Sequence, residues 1–113
     1  MWQALLQSGV PIVNGTDVPV EPIDPLASFY ASVSLKTLEG TPEGGYEPEQ
    51  KMTREQALRS YTLDAAYGAF EEDIKGSIEV GKLADFTIFD KDIMSIPEDD
   101  ILKTNVAMTI FDG

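Results

Sequence analysis

Histidine and cysteine are both absent from the 113 residues, and these two gaps remove more chemistry than any other property of the chain. Without cysteine there can be no disulfide, no thiolate zinc site and no cysteine nucleophile. Without histidine, Ser32, Ser34 and Ser60 have no imidazole to activate them. Positive charge is also scarce, with 8 Lys and Arg against 20 Asp and Glu and a net charge of −12. That balance repels the phosphate backbone that dominates nucleic-acid affinity and disfavours anionic membranes. Neither nucleic acid nor a membrane is an expected partner. No apolar run approaches the roughly 20 residues of a membrane span, and Met1–Leu6 has neither a basic leader nor a cleavage-site pattern. A soluble, cytoplasmic protein is the expectation.

What is present reads as alternating elements with loop-rich interruptions. Trp2, Leu5 and Leu6 stand at helical spacing and Ser8-Gly9 ends that helix. Val10–Val13 is a short continuous apolar run bounded by Gly9 and Gly15, which predicts a strand buried on both faces, as in parallel sheets. Prolines 19, 22 and 25 keep the next stretch irregular. Asp24-Pro25 has the order of an N-cap followed by proline at the first helical position, and predicts a helix over 25–35 with Leu26, Phe29, Tyr30 and Val33 inward. Periodicity then vanishes from Lys36 to Lys51, where Gly40, Pro42, Gly44, Gly45 and Pro48 predict a loop. Thr53-Arg54-Glu55-Gln56 matches a capping box and opens a helix expected to reach Tyr67 and stop at Gly68. After Gly76 the pattern turns strand-like, with runs at 85–90 and 106–111 and one or two helical turns between Pro97 and Lys103. Asp112-Gly113 is a hairpin-turn signal with no strand after it, so the last strand is either truncated or supplied from elsewhere.

Several tempting constellations fail on their residues. Asp90-Lys91-Asp92 with Glu98-Asp99-Asp100 approximates a calcium loop, but Ser95 stands where glycine is needed and Ile101 where the bidentate Glu belongs. A solvated acidic turn is the expectation. Gly44-Gly45 lies in no strand-to-helix setting and is no phosphate cradle. Glu71-Glu72-Asp73 reads as a solvated helix exit, opposed by the helix dipole. Lys82 and Asp85 flank a turn, where such residues order backbone more often than they catalyse.

Two segments together carry a family resemblance: Val10-Pro11-Ile12-Val13-Asn14-Gly15-Thr16-Asp17 and Gly76-Ser77-Ile78-Glu79-Val80-Gly81-Lys82-Leu83-Ala84-Asp85-Phe86. The pair resembles the C-terminal part of an amidohydrolase-superfamily enzyme. Phe29-Tyr30-Ala31-Ser32-Val33, the Pro42–Gln50 loop and Thr53–Tyr61 are similar to the branch that includes N-substituted formamide deformylase. Leu35, where a second basic residue is expected, departs from that pattern. The resemblance implies an α/β fold. Residues 1–75 would form a partial (β/α)8-barrel edge, the last strand with its helices, and 76–113 part of a small β-sandwich. A complete barrel needs about 250 residues and is excluded by length.

The same resemblance implies that Asp17, just past the strand, binds a divalent metal, zinc above all, and handles the proton of an activated water. The parent would hydrolyse the C–N bond of a small-molecule amide or formamide. The family's histidine ligands have no counterpart here, and one Asp cannot hold a hydrolytic metal alone. No metal and no activity are expected of the isolated chain, and Val10–Val13 would seek a partner by homo-oligomerisation. Two competing readings stay open. One is a free-standing acidic α/β binding module, and the other is the complementing subunit of a split enzyme.

Overall fold

A computed structural model describes all residues, Met1–Gly113. The elements run α1 (Trp2–Gln7), α2 (Pro25–Ser34), a 3₁₀ turn (Pro48–Gln50), α3 (Arg54–Tyr61), α4 (Leu63–Gly68), β1 (Phe86–Phe89), α5 (Glu98–Ile101) and β2 (Val106–Ile110). The helix starts follow their local chemistry. The Asp24 carboxylate accepts from the Leu26 amide at 2.9 Å, with Pro25 in the first turn. At α3 both halves of the capping box form: Thr53 Oγ1 accepts from the Gln56 amide at 3.1 Å, and Gln56 Oε1 accepts from the Thr53 amide at 2.8 Å. The four amides that open a helix lack intrahelical partners, so each such bond removes a cost that water would otherwise have to meet.

The core sits where α2 meets α3 and α5. Leu26, Phe29, Tyr30 and Val33 from α2 pack with Met52, Ala57, Ile93 and Ile101. Polar ties lock the same junction. Arg54 Nη1 donates to the Ile93 carbonyl at 2.7 Å, and Lys36 and Lys51 both approach Glu98, at 3.6 and 4.0 Å. The loop between Lys36 and Lys51 is anchored at its base by the Tyr46 amide on the Leu35 carbonyl and the Met52 amide on the Ser32 carbonyl. Gly45 is held to glycine there: at φ 87° a Cβ would lie 2.1 Å from the Ser34 carbonyl oxygen.

Two expectations need correction. Residues 10–13 are not a strand. They run without regular structure, Val10 and Val13 are about half exposed, and the first backbone bond after Gly9 is donated by Asn14 to the Ser60 carbonyl at 3.0 Å. An apolar run becomes a strand only where another strand offers it a ladder, and no segment of this chain lies alongside. Ile12 and Val13 still find apolar contacts, Ile12 against the core and Val13 against Gly68.

The helix expected from Thr53 to Tyr67 is also broken. Thr62 leaves helical geometry at φ −123°, ψ −89°. Its amide bonds Arg59, three residues back, and its hydroxyl donates to the Leu58 carbonyl at 2.8 Å, which competes with the regular ladder. Into this break fits Gly76, where a Cβ would meet Ala66 Cβ at 2.8 Å and the Thr62 carbonyl oxygen at 3.0 Å. Gly68 does not stop α4 but ends inside it, with Ala69 as the cap. It is small because Val13 approaches: a Cβ there would lie 2.8 Å from a Val13 methyl.

β1 and β2 form the one sheet, an antiparallel pair in the register Phe86↔Ile110, Thr87↔Thr109, Ile88↔Met108 and Phe89↔Val106. The skip at Ala107 is a bulge. Asp90 closes the end of the pair, accepting from the Asn105 amide at 2.9 Å and the Asn105 side chain at 3.0 Å. No parallel pairing forms within these residues. No helix is long and apolar enough to cross a membrane.

Candidate active site around Asp17

Asp17 follows a short anchored segment. Asn14 fixes it three ways: its amide bonds the Ser60 carbonyl, its side-chain Nδ2 donates to Ser32 Oγ at 3.1 Å, and its Oδ1 accepts from the Gly15 amide at 3.1 Å. Ser32 in turn donates to the Ser28 carbonyl at 2.9 Å. The chain leaving α1 is thereby tied to both α2 and α3. Asp17 itself is exposed and adopts φ 52°, a left-handed conformation that Asp tolerates better than most residues, and its carbonyl accepts from the Val20 amide at 2.9 Å in a tight turn.

A shallow cleft of about 420 Å³ opens beside this anchor, walled by Trp2, Ile12, Asn14, Glu21 and Ser32 among others. Asp17 is not one of its walls. The larger cavity, about 910 Å³, lies on the other side of the helices, between α2–α4 and the sheet, where Leu58, Tyr61, Phe86 and Phe89 meet Arg59 and Asp85. The Tyr61 hydroxyl is buried without a hydrogen-bond partner, and burial pushes its pKa up, the Ser28 hydroxyl acting in the opposite direction and by less.

The remaining sequence candidates resolve into structural work. Lys82 folds back over its own turn, donating to Ser77 Oγ at 2.8 Å and pairing with Glu79 at 3.1 Å. The Ser77 hydroxyl first, and Lys82 after it, hold the Glu79 carboxyl below its ordinary value. Asp85 accepts from the Asp112 amide at 2.9 Å. Ser60 donates to the Ala57 carbonyl at 2.7 Å and Ser34 accepts from the Lys36 amide at 3.2 Å. Asp92 orders the acidic turn by accepting from Ser95 Oγ and the Met94 amide, and both contacts depress its pKa. Glu71 pairs with Lys75.

A hydrolytic metal centre needs several nitrogen or oxygen ligands converging on one point. No group of three or more His, Cys, Asp or Glu side chains in the chain is arranged to hold an ion. The residues present do not by themselves fit such a centre, and Asp17 offers at most one carboxylate. The sequence does not single out Glu21 or the contact between Asn14 and Ser32. The Asn14-Gly15 pair signals a turn, but nothing local shows that Asn14 reaches Ser32.

Comparison with known proteins bears on this arrangement. A sequence profile described as the amidohydrolase family matches residues 1–113. N-substituted formamide deformylase of Arthrobacter pascens is 29% identical over 111 residues, 98% of this chain and 20% of that protein. YtcJ of Bacillus subtilis (strain 168) is 27% identical over 112 residues, 99% of this chain and 21% of its own length. Protein LONG AFTER FAR-RED 3 of Arabidopsis thaliana is 34% identical over 88 residues, 78% of this chain and 15% of its own. The chain thus spans about a fifth of the first two relatives. No solved structure matches it.

Proposed function

This chain belongs to the amidohydrolase family, and from that we propose that it forms the C-terminal portion of a hydrolase acting on a non-peptide C–N bond, an amide or formamide. The observation that carries the reading is the family match along the whole chain, joined to a relative named for deformylating N-substituted formamides. In this reading residues 1–75 form the edge of the catalytic barrel, and 76–113 belong to the small sandwich beside it. Asp17 takes a proton from the attacking water and returns it to the leaving nitrogen, a role suited to an exposed carboxylate at the end of an anchored segment. The metal ligands other than Asp17 come from outside these residues, and the isolated chain is inactive.

The test is a steady-state assay of the longer polypeptide encoded around these residues. It measures amine release from N-substituted formamides and simple amides, beside Asp17→Asn and the isolated chain. Asp17→Asn is expected to lower turnover by about 10²-fold or more, the scale of a lost acid–base group, with melting unchanged. Full turnover in Asp17→Asn would overturn the role of Asp17. Turnover by the contaminant-free isolated chain, lost in Asp17→Ala, would overturn the inactivity of the chain alone. A longer polypeptide that hydrolyses none of these substrates would remove the substrate class.

A further inference from the structure

The chain has two asparagines, Asn14 and Asn105, and their surroundings differ. Asparagine is thermolabile, because the backbone nitrogen that follows it can attack its side-chain carbonyl carbon. At Asn14 that nitrogen belongs to Gly15, which has no Cβ to obstruct the approach. The Gly15 nitrogen already lies 3.1 Å from Asn14 Oδ1, so nucleophile and amide group are in contact. Gly15 is exposed, and a Cβ there would meet no atom beyond its chain neighbours within 4 Å. Asn105 is exposed too, but the residue after it is Val106, branched at Cβ and fixed at the start of β2. The Asp90 carboxylate binds both its amide and its side chain.

We propose that Asn14 is a site of spontaneous modification, deamidation through a cyclic imide. Hydroxide removes the Gly15 amide proton, and the electron pair left on that nitrogen forms a bond to Asn14 Cγ. The Cγ–Nδ2 bond breaks, and Nδ2 takes a proton from water and leaves as ammonia, regenerating hydroxide. Water then opens the ring at one of its two carbonyls, giving aspartate or isoaspartate at position 14. One water is consumed and one ammonia released, with no change of oxidation state. Ser32 acts as a brake. Its Oγ accepts from Asn14 Nδ2 at 3.1 Å and holds the leaving nitrogen in place. Conversion cuts that tie. The Ser32 hydrogen is donated to the Ser28 carbonyl at 2.9 Å, and a carboxylate at position 14 has no hydrogen to offer Oγ. The segment leading to Asp17 loses its polar tie to α2 and keeps the backbone bond from residue 14 to the Ser60 carbonyl.

The test is incubation of the 113-residue chain at pH 6 and pH 8, followed by digestion and mass spectrometry, which reads the exchange of amide nitrogen for oxygen at each asparagine. Asn14 is expected to convert, faster at pH 8 because hydroxide is the base, while Asn105 keeps its amide. Gly15→Ala places a methyl in open space and should lose most of the conversion. Ser32→Ala should speed it about fivefold, the factor that one ordinary hydrogen bond is worth. Asn14→Asp, one of the two products, should melt about 4 °C below the parent. Circular dichroism melts, with the rate in the urea-unfolded parent, distinguish a faster folded variant from an unfolded one. A folded chain that keeps the Asn14 amide while the unfolded chain loses it overturns the proposal. So does an Asn105 that converts as fast, a Gly15→Ala chain that converts like the parent, or equal rates at the two pH values. A Ser32→Ala rate no higher than the parent's overturns the brake, and unchanged melting in Asn14→Asp overturns the loosening.

Discussion

Gly76 and Gly81 have nearly the same positive φ, 95° and 97°, yet they are constrained for different reasons. A Cβ on Gly81 meets open space, so only its left-handed backbone resists substitution. A Cβ on Gly76 would also strike Ala66 and the backbone of Thr62 and Leu63, which have little room to retreat because α3 and α4 meet there. Gly81→Ala should therefore cost about 1 kcal/mol, reduced somewhat by the stiffer unfolded chain. Gly76→Ala should cost about 3 kcal/mol, the same conformational penalty with overpacking added. Chemical denaturation of the two variants measures the difference, and equal losses would mean that the α3–α4 junction yields freely. Both glycines stand out in the sequence as parts of the signature segment. That one faces a packed junction and the other solvent depends on Thr62 and Ala66, more than nine residues away in the chain, and no local pattern reports it.

At the scale of elements, the sequence was legible wherever the signal and its partner are near one another. Asp24-Pro25 and the Thr53–Gln56 box mark helix starts because cap and amide lie within three residues, and both bonds form. The alternation at 86–89 and the β-prone run at 106–110 likewise became a strand pair. Residues 10–13 were misread because a strand is a property of two segments, and the second is not in this chain. The break at Thr62 was missed because Ala57, Leu58, Tyr61, Ala65 and Ala66 keep helical spacing across it. For the candidate site, Asp17 rests on the resemblance alone, whereas the Asn14–Ser32 contact that anchors its segment joins residues from separate elements and leaves no sequence trace. The capping box offers a check on how much local chemistry contributes. Thr53→Ala removes the acceptor for the Gln56 amide and should destabilise the chain by about 1 kcal/mol, while Thr53→Ser keeps the hydroxyl and should cost well under half of that. If thermal melts find the two variants equal, α3 is held by the Arg54–Ile93 tie and the core rather than by its cap.

For the molecule as a whole, charge sets two opposing responses to acid. The excess of 12 negative charges makes the folded state repel itself, and protonating carboxylates relieves that repulsion. Several carboxylates are nevertheless engaged in turns that need them ionised. Asp90 is held below its ordinary pKa by the Asn105 amide first and the Asn105 side chain second, and Asp92 by Ser95 and then the Met94 amide. A group whose pKa is depressed on folding contributes stability above its unfolded value, near 4, and loses that contribution as pH falls through the lower folded value. Moderate acidification from pH 7 toward 5 leaves these contacts ionised. In that range the melting temperature should hold or rise, and added salt at pH 7 should mimic the rise by screening. Below about pH 4 the curve should turn down as Asp90 and Asp92 take up protons. Asp90→Asn isolates the local part. It lacks the ionised acceptor at every pH, so it should melt below the parent at pH 7 and converge with it in acid, where the parent's Asp90 is itself neutral. Melts of both proteins from pH 7 to pH 2 decide the matter: a constant gap between the curves would show that the Asp90–Asn105 closure of the strand pair owes nothing to the charge.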